Sequence, residues 1–254
     1  MEVALEDLIT FLVEKNATKF CYVIYDMLVD PENCHIAGHL GRDTSFIFKY
    51  LNHYVFQGGE CFRYLPNVPR VNGEVFVTLD PHNWLEVQKY FSDFSISDPS
   101  GEGVYNRILA QECTVHGFNR LTETPPVEVK RLTIDDWTAN APDYVKSFLE
   151  ESYFIYGVEM DNKLVACAPA PFVYLGEVVP KFAVIRGVWT DPAYRGQNLS
   201  TTVMKKLCTE LFNEHGLERI CLFVEERNPA ALRVYEKLGF QTKGNWFVSL
   251  CYFH

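Results

Sequence analysis

Residues 195–201 read Arg195-Gly196-Gln197-Asn198-Leu199-Ser200-Thr201, between an apolar run at 182–190 and the helical pattern Val203, Leu207, Leu211. These residue types suit the capture of an anion. Gly196 and Asn198 both tolerate positive φ, so the chain can turn tightly there, and Ser200 or Thr201 is expected to cap the first turn of the helix that follows. A tight turn into a helix start aims a row of backbone N–H groups at one point. The helix dipole and the Arg195 guanidinium add positive potential, which together suits a pyrophosphate. A second stretch, Glu225-Glu226-Arg227-Asn228-Pro229, leads into Ala230-Ala231-Leu232-Arg233-Val234-Tyr235. Asn228 before Pro229 marks a helix start, and Tyr235, two helical turns on, can lie along the same ligand. Tyr235 is a phenol able to give a proton, and Glu225 a carboxylate able to take one. Each also has a plainer reading: Asn228 as a helix cap, Tyr235 as a core residue beside Ala231, Leu232 and Leu238, and Glu225 and Glu226 as solvated charges.

These groups need a frame of strands and helices, and the second half of the chain supplies one. A strand is expected at 129–132, a helix at 143–151 and strands at 153–159 and 164–168, with Asp161-Asn162 as the hairpin turn between the last two. The run at 182–190, rich in β-branched and aromatic residues, reads as one strand stopped by Asp191-Pro192. A strand at 219–224, a helix at 229–238 and a strand at 246–253 complete the order. That alternation predicts an α/β architecture, a mixed sheet with helices on both faces.

The loop and the second stretch together resemble the signatures of the GNAT acyltransferases. The family's cofactor loop reads Arg or Gln, two residues, Gly, one residue, then Gly or Ala. In this chain those positions are Arg195, Asn198 and Ser200, so two of the three depart from the commonest form. The segment from Asn228 through Lys237-Leu238-Gly239-Phe240 matches the second signature closely. The resemblance covers residues 127–254 and implies a GNAT fold there. It implies that the backbone N–H groups of Val188, Trp189 and Thr190 bind the pantetheine amides and polarise a thioester. It implies further that 195–201 holds the pyrophosphate, that Asn228 faces the pantetheine arm and that Tyr235 protonates the departing thiolate. The co-substrate is then acetyl-CoA or another acyl-CoA, with no metal, and the acceptor a small-molecule amine, an amino acid or a protein amine. Arg186 stands where many relatives carry a carboxylate on the central strand, which leaves Glu225 and Glu226, at the end of the next strand, as the nearest candidate bases, unless a water chain or an already neutral acceptor removes the need for one. The alternative reading is a fold that binds acyl-CoA without turning it over.

The rest of the chain sets limits. Apolar residues make up 48% and charged residues 22%, an ordinary globular composition with no run long enough to span a membrane. The net charge is −10, of which residues 1–126 (9 bases, 17 acids) carry −8, a poor match to nucleic acid or an anionic membrane. The eight cysteines show no paired short spacing, so free thiols in a reducing, cytoplasmic setting are expected. Residues 1–15 read as an amphipathic helix, 20–28 as a strand, 74–79 as a strand, and 80–91 as a helix opened by Asp80-Pro81. Residues 97–103 read as a turn-rich break, and 104–121 fits helix or strand equally. A linker at 122–126 divides an amino-terminal α/β domain, 1–121, from the acyltransferase-like half, 127–254. In layout the chain loosely resembles tandem proteins of the glycine N-acyltransferase-like branch, whose first half is a degenerate GNAT-like unit.

Overall fold

The computed structural model describes residues 4–95, 106–151 and 154–254. The turn-rich break at 97–103 lies outside them. The chain divides into two compact units, one made of 1–110, 225–227 and 243–254, the other of 111–224 and 228–242.

The first unit opens on α1 (Leu5–Asn16), whose buried Leu8, Ile9 and Leu12 share one face. Residues 20–28, expected as a strand, form instead the helix α2 (Cys21–Val29), with Cys21, Val23, Ile24 and Met27 buried. Its apolar run buries positions three apart, the period of a helix, and β-branched content alone misreads it. The strands β1 (Cys34–His39), β2 (Ser45–Tyr50) and β3 (His53–Gln57) form an antiparallel meander. Next, β4 (Val75–Leu79) pairs parallel to β3 from His53↔Phe76 to Phe56↔Leu79. The helix expected over 80–91 is cut short: a 3-10 turn, Pro81–Asn83, leads into α3 (Trp84–Val87), and Phe91–Ser95 is already strand β5. The unit closes on the later part of β14 (Gln241–Phe253), which pairs antiparallel with both β4 and β5. Its core is aromatic, with Tyr54, Phe56, Phe62 and Phe91 packed together. Lys19 forms a partly buried ion pair with Asp80, and its ammonium lies 4.0 Å from the Trp246 ring centre.

Strand β6 (Asn106–Thr114) settles the ambiguity at 104–121 in favour of β-structure; its residues 106–110 belong to the first unit and 111–114 to the second. The second unit follows the predicted order. β7 (Lys130–Arg131), α4 (Asp143–Glu151), β8 (Phe154–Met160) and β9 (Lys163–Ala170) come first. The β8–β9 turn at Asp161-Asn162 has φ of 51° and 58°, the left-handed pair expected of that dipeptide. β10 (Phe172–Tyr174), β11 (Phe182–Ile185) and β12 (Trp189–Thr190) lead to α5 (Leu199–Asn213), β13 (Arg219–Glu225) and α6 (Pro229–Lys237). Here β10 pairs antiparallel with β11, and β11 parallel with β13. A separate sheet runs β12-β9-β8-β7. The single strand expected at 182–190 is therefore two pieces belonging to two sheets. All eight cysteines are free, and seven are buried.

Candidate functional site

The break between β11 and β12 creates the site. β11 and β13 pair over four residues, ending at Ile185↔Leu222. Gly187 then adopts φ 73°, and the chain crosses to β9, where Trp189 faces Cys167 and Thr190 faces Ala166. Beyond Leu222, Phe223 to Glu225 continue β13 without β11 beside them, so the two parallel strands part and leave a gap. The Asp191 N–H donates to the Val165 carbonyl at 2.8 Å, which sets the ladder's alternation. Trp189, two residues earlier, turns its N–H toward β9. Thr190, at the alternate position, turns its N–H away from β9, and the Val188 N–H has no acceptor among the described residues. A Cβ added at Gly187 would lie 2.3 Å from the Phe148 ring, so an aromatic side chain of α4 lies directly on this crossing. Tyr144, one turn earlier on α4, packs edge-on to Phe148. Burial pushes its hydroxyl pKa up, Cys167 adds to that rise and Arg195 opposes it.

Asp191 starts the turn that follows. Its side chain accepts from the Ala193 N–H at 2.9 Å and from the Asn140 amide at 2.7 Å. These bonds hold its pKa below the ordinary carboxylate value, the Ala193 N–H first. Gly196 has φ 80° and Asn198 φ 62°, as their residue types foretold. A Cβ built at Gly196 would meet nothing within 4 Å, so that side of the loop is open. The N–H groups of Gly196, Gln197 and Asn198 find no acceptor among the described residues. Those of Leu199, Ser200 and Thr201 lead the helix, where no intrahelical partner exists. Six donors thus stand in sequence at the start of α5.

Neither Ser200 nor Thr201 caps α5, contrary to expectation. The N-cap residue is Asn198, and even its side chain makes no capping bond. The Ser200 hydroxyl meets the Thr190 hydroxyl at 2.6 Å, tying the helix start to β12. The Thr201 hydroxyl donates to Asn198 Oδ1 at 2.8 Å, and the Asn198 amide donates to the Glu123 carbonyl at 3.2 Å. Lys237 Nζ reaches Asn198 Oδ1 at 3.3 Å, a contact from the end of α6 that residue types alone could not reveal. Arg195 Nε donates to the Thr190 carbonyl at 3.4 Å. The loop is therefore braced by side-chain bonds, while its leading N–H groups find no acceptor among the described residues.

On α6 the Asn228 side chain accepts from the Ala231 N–H at 3.1 Å, so it is a helix cap whatever else it does. Tyr235 is 8% exposed and packs against Phe240. Its hydroxyl makes no hydrogen bond with a described residue, yet that oxygen is not sealed from solvent. Burial pushes its pKa up to about 12, which keeps the proton on at neutral pH. Glu225 falls in the other compact unit. There its carboxylate accepts from Asn106 at 3.2 Å and from Arg227 at 3.4 Å. Of the expected residues, 188–190, 195–201, Asn228 and Tyr235 fall in one compact unit and Glu225 in the other. Among the described residues no cluster of three or more His, Cys, Asp or Glu is arranged to hold a metal.

Residues 118–240 match the Acetyltransferase (GNAT) family. No curated protein matches the sequence. Many solved structures share the fold. A Drosophila protein of 9% identity, with 99% of this chain and 97% of that one covered, superposes with a TM-score of 0.61. A tandem GNAT protein from the clavulanic acid biosynthesis pathway is 12% identical, with 96% and 92% of the two chains covered, and gives 0.55. A GNAT-family acetyltransferase from Colwellia psychrerythraea is 13% identical, with 94% and 97% covered, and gives 0.51. These likenesses extend across both units, consistent with a tandem GNAT-like layout.

Proposed function

We propose that residues 118–240, which match the Acetyltransferase (GNAT) family, act within the half 127–254 to move an acetyl or short acyl group from acyl-CoA to a primary amine. The observation that carries the reading is the parting of β11 and β13, with N–H groups at Val188 and Thr190 not taken up by β9 and an open N–H row at 196–201. The two sets of donors suit two parts of one ligand. The row at the start of α5, with Arg195, takes a pyrophosphate. The gap takes an extended arm between the parted strands, where the Val188 and Thr190 N–H groups bind its amides and polarise the thioester carbonyl.

Attack by the neutral amine on that carbonyl forms the C–N bond and breaks the C–S bond. The Tyr235 hydroxyl, protonated and reachable, hands its proton to the leaving sulfur. The proton lost by the amine nitrogen leaves through solvent. Phe148 and Tyr144 on α4 give the acceptor side an aromatic wall.

A second reading draws on one observation: the Glu225 carboxylate, the candidate base, is already engaged by Asn106 and Arg227. On that reading the domain binds acyl-CoA without turnover and serves as a regulatory module. Calorimetric titration with acetyl-CoA, followed by thiol release across a panel of primary amines and amino acids, decides between them. Binding with amine-dependent release supports the transferase, binding without release from any amine or peptide supports the module, and absence of binding overturns both.

A further inference from the structure

The first unit contains a cavity of about 980 Å³, at the upper end of the range for small-molecule sites. It lies off the carboxyl end of β3, where Gln57 and Gly59 line it; the carboxyl ends of strands are where open α/β sheets take their ligands. α1 adds Phe11 and Lys15, and the β1–β2 turn adds Arg42 and Asp43. The two backbone segments that form its floor are held in close contact. Gly58 has φ 86°, and a Cβ there would lie 2.2 Å from the Thr44 carbonyl, so only glycine allows the loop to press on the β1–β2 turn. The Glu60 N–H donates to the Ser45 hydroxyl at 3.1 Å across the same contact. Gly59, by contrast, has nothing within 4 Å of a Cβ position and opens to the cavity.

The charges in this cavity run against those of the surrounding chain. Residues 1–126 hold 9 bases and 17 acids, yet three of those bases line the cavity, Lys15, Arg42 and Arg63, against two acids, Asp43 and Glu60. Arg63 and Glu60 satisfy each other at 2.7 Å. Lys15, Arg42 and Asp43 remain, a net positive charge, and none of the three has an ion-pair partner among the described residues. Beside them is an apolar wall of Phe11 and the buried Phe20, with the Lys15 ammonium 5.5 Å from the Phe11 ring centre.

We propose that this cavity binds a small organic anion, a carboxylate or phosphate ester with an apolar body. Lys15 and Arg42 take the anionic group, and Phe11 and Phe20 take the body. The site is separate from the acyl-transfer site and does not depend on that reading. The test is calorimetric titration of the full chain with phenyl phosphate and with benzoate. The proteins compared are wild type, Lys15→Glu, Arg42→Glu and Gly196→Pro. Wild type is expected to bind at least one probe; the probe it prefers tells a phosphate ester from a carboxylate. Each charge reversal should weaken that binding at least ~10-fold while leaving the acetyl-CoA titration and the melting temperature unchanged. Gly196→Pro, which alters the loop before α5, should leave it untouched. Absence of heat with both probes, equal affinity in the charge-reversed variants, or loss of binding in Gly196→Pro would each overturn the proposal.

Discussion

Replacing Asn198 separates the two things this residue supplies, a left-handed backbone and a set of side-chain bonds. The carboxamide makes three contacts, with the Thr201 hydroxyl at 2.8 Å, the Glu123 carbonyl at 3.2 Å and Lys237 Nζ at 3.3 Å. Exposed hydrogen bonds lie at the low end of the usual range, about 0.5 kcal/mol each, so losing all three costs about 1.5 kcal/mol. Asn198→Gly incurs that loss but keeps φ 62° accessible. Asn198→Ala incurs the same loss and adds about 1–2 kcal/mol of left-handed strain, part of which is offset because alanine also narrows the unfolded ensemble. The alanine variant should therefore be less stable than the glycine variant by about 1 kcal/mol. Urea unfolding reads this as a lower midpoint at unchanged slope. Acetyl-CoA affinity should fall in the order wild type, Gly, Ala. The alanine variant is expected to be at least ~10-fold weaker, because relaxing its strain turns the N–H row at 196–201 out of line. Equal midpoints for the two variants would mean that the left-handed conformation is not what Asn198 provides. Wild-type affinity in Asn198→Ala would mean that the N–H row is not the binding site.

Four further outcomes are expected. Tyr235→Phe should lower turnover ~10- to 1000-fold with acetyl-CoA affinity and stability nearly unchanged, since the hydroxyl has no hydrogen-bond partner among the described residues; a wild-type rate would return Tyr235 to a packing role. Gly196→Pro removes one donor N–H and fixes φ near −65°, far from the observed 80°, so acetyl-CoA binding should disappear from the titration, and intact binding would refute the loop assignment. Gly187→Ala drives a Cβ into Phe148 at a positive φ and should cost at least ~2 kcal/mol on unfolding, together with most of the turnover; a neutral result would show that the crossing from β11 to β12 is pliable. Asp26 has its pKa raised from 3.8 to about 7, by burial first and by Asp30 second. A raised carboxylate binds more protons folded than unfolded, so its contribution to stability is full below about pH 4 and declines as pH rises to about 7, by at most ~4 kcal/mol before solvent screening. Asp26→Asn should flatten that part of the stability profile measured by urea unfolding, and an unaltered profile would refute the assignment.

The second unit was legible nearly throughout because its signals are local. Asp161-Asn162 can scarcely be anything but a turn with two positive φ angles, and Asn228-Pro229 anything but a helix start. The failures have physical causes. Residues 20–28 are apolar and partly β-branched, which describes a buried helix as well as a strand, and only packing against α1 decides between them. The break inside 182–190 was signalled by Arg186-Gly187 within an apolar run, a bulge pattern, but which sheet receives Trp189 depends on β9, which lies earlier in the chain. Ser200 and Thr201 have the composition of caps, yet their hydroxyls were drawn to Thr190 and Asn198 instead. The Lys237 contact to Asn198 joins residues 39 apart and had no local signal at all.

The two units treat the same element, a parallel strand pair, in opposite ways, and this bears on which can perform acyl transfer. In the second unit β11 leaves β13 after Ile185↔Leu222, and the N–H groups at Val188 and Thr190 are not taken up by β9. In the first unit β3 and β4 remain paired to Phe56↔Leu79, and the Asp80 N–H still reaches the Phe56 carbonyl at 3.3 Å. Phe56 and Leu79 are completely buried there. An extended arm inserted between β3 and β4 would have to break that ladder and expose an aromatic core, whereas the gap beside β13 already exists. A ligand of the first unit must therefore sit beyond the strand ends and not between the strands. That is where the cavity lies, and its lining includes the cations Lys15 and Arg42 and the phenyl rings of Phe11 and Phe20. The two proposals together assign group transfer to the unit whose strands part and anion recognition to the unit whose strands stay together. Transplanting the break tests it. Inserting a glycine after Phe56 to force β3 from β4 should destabilise the first unit without creating acetyl-CoA binding in a Gly196→Pro background. Recovery of such binding would show that the parting of the strands suffices.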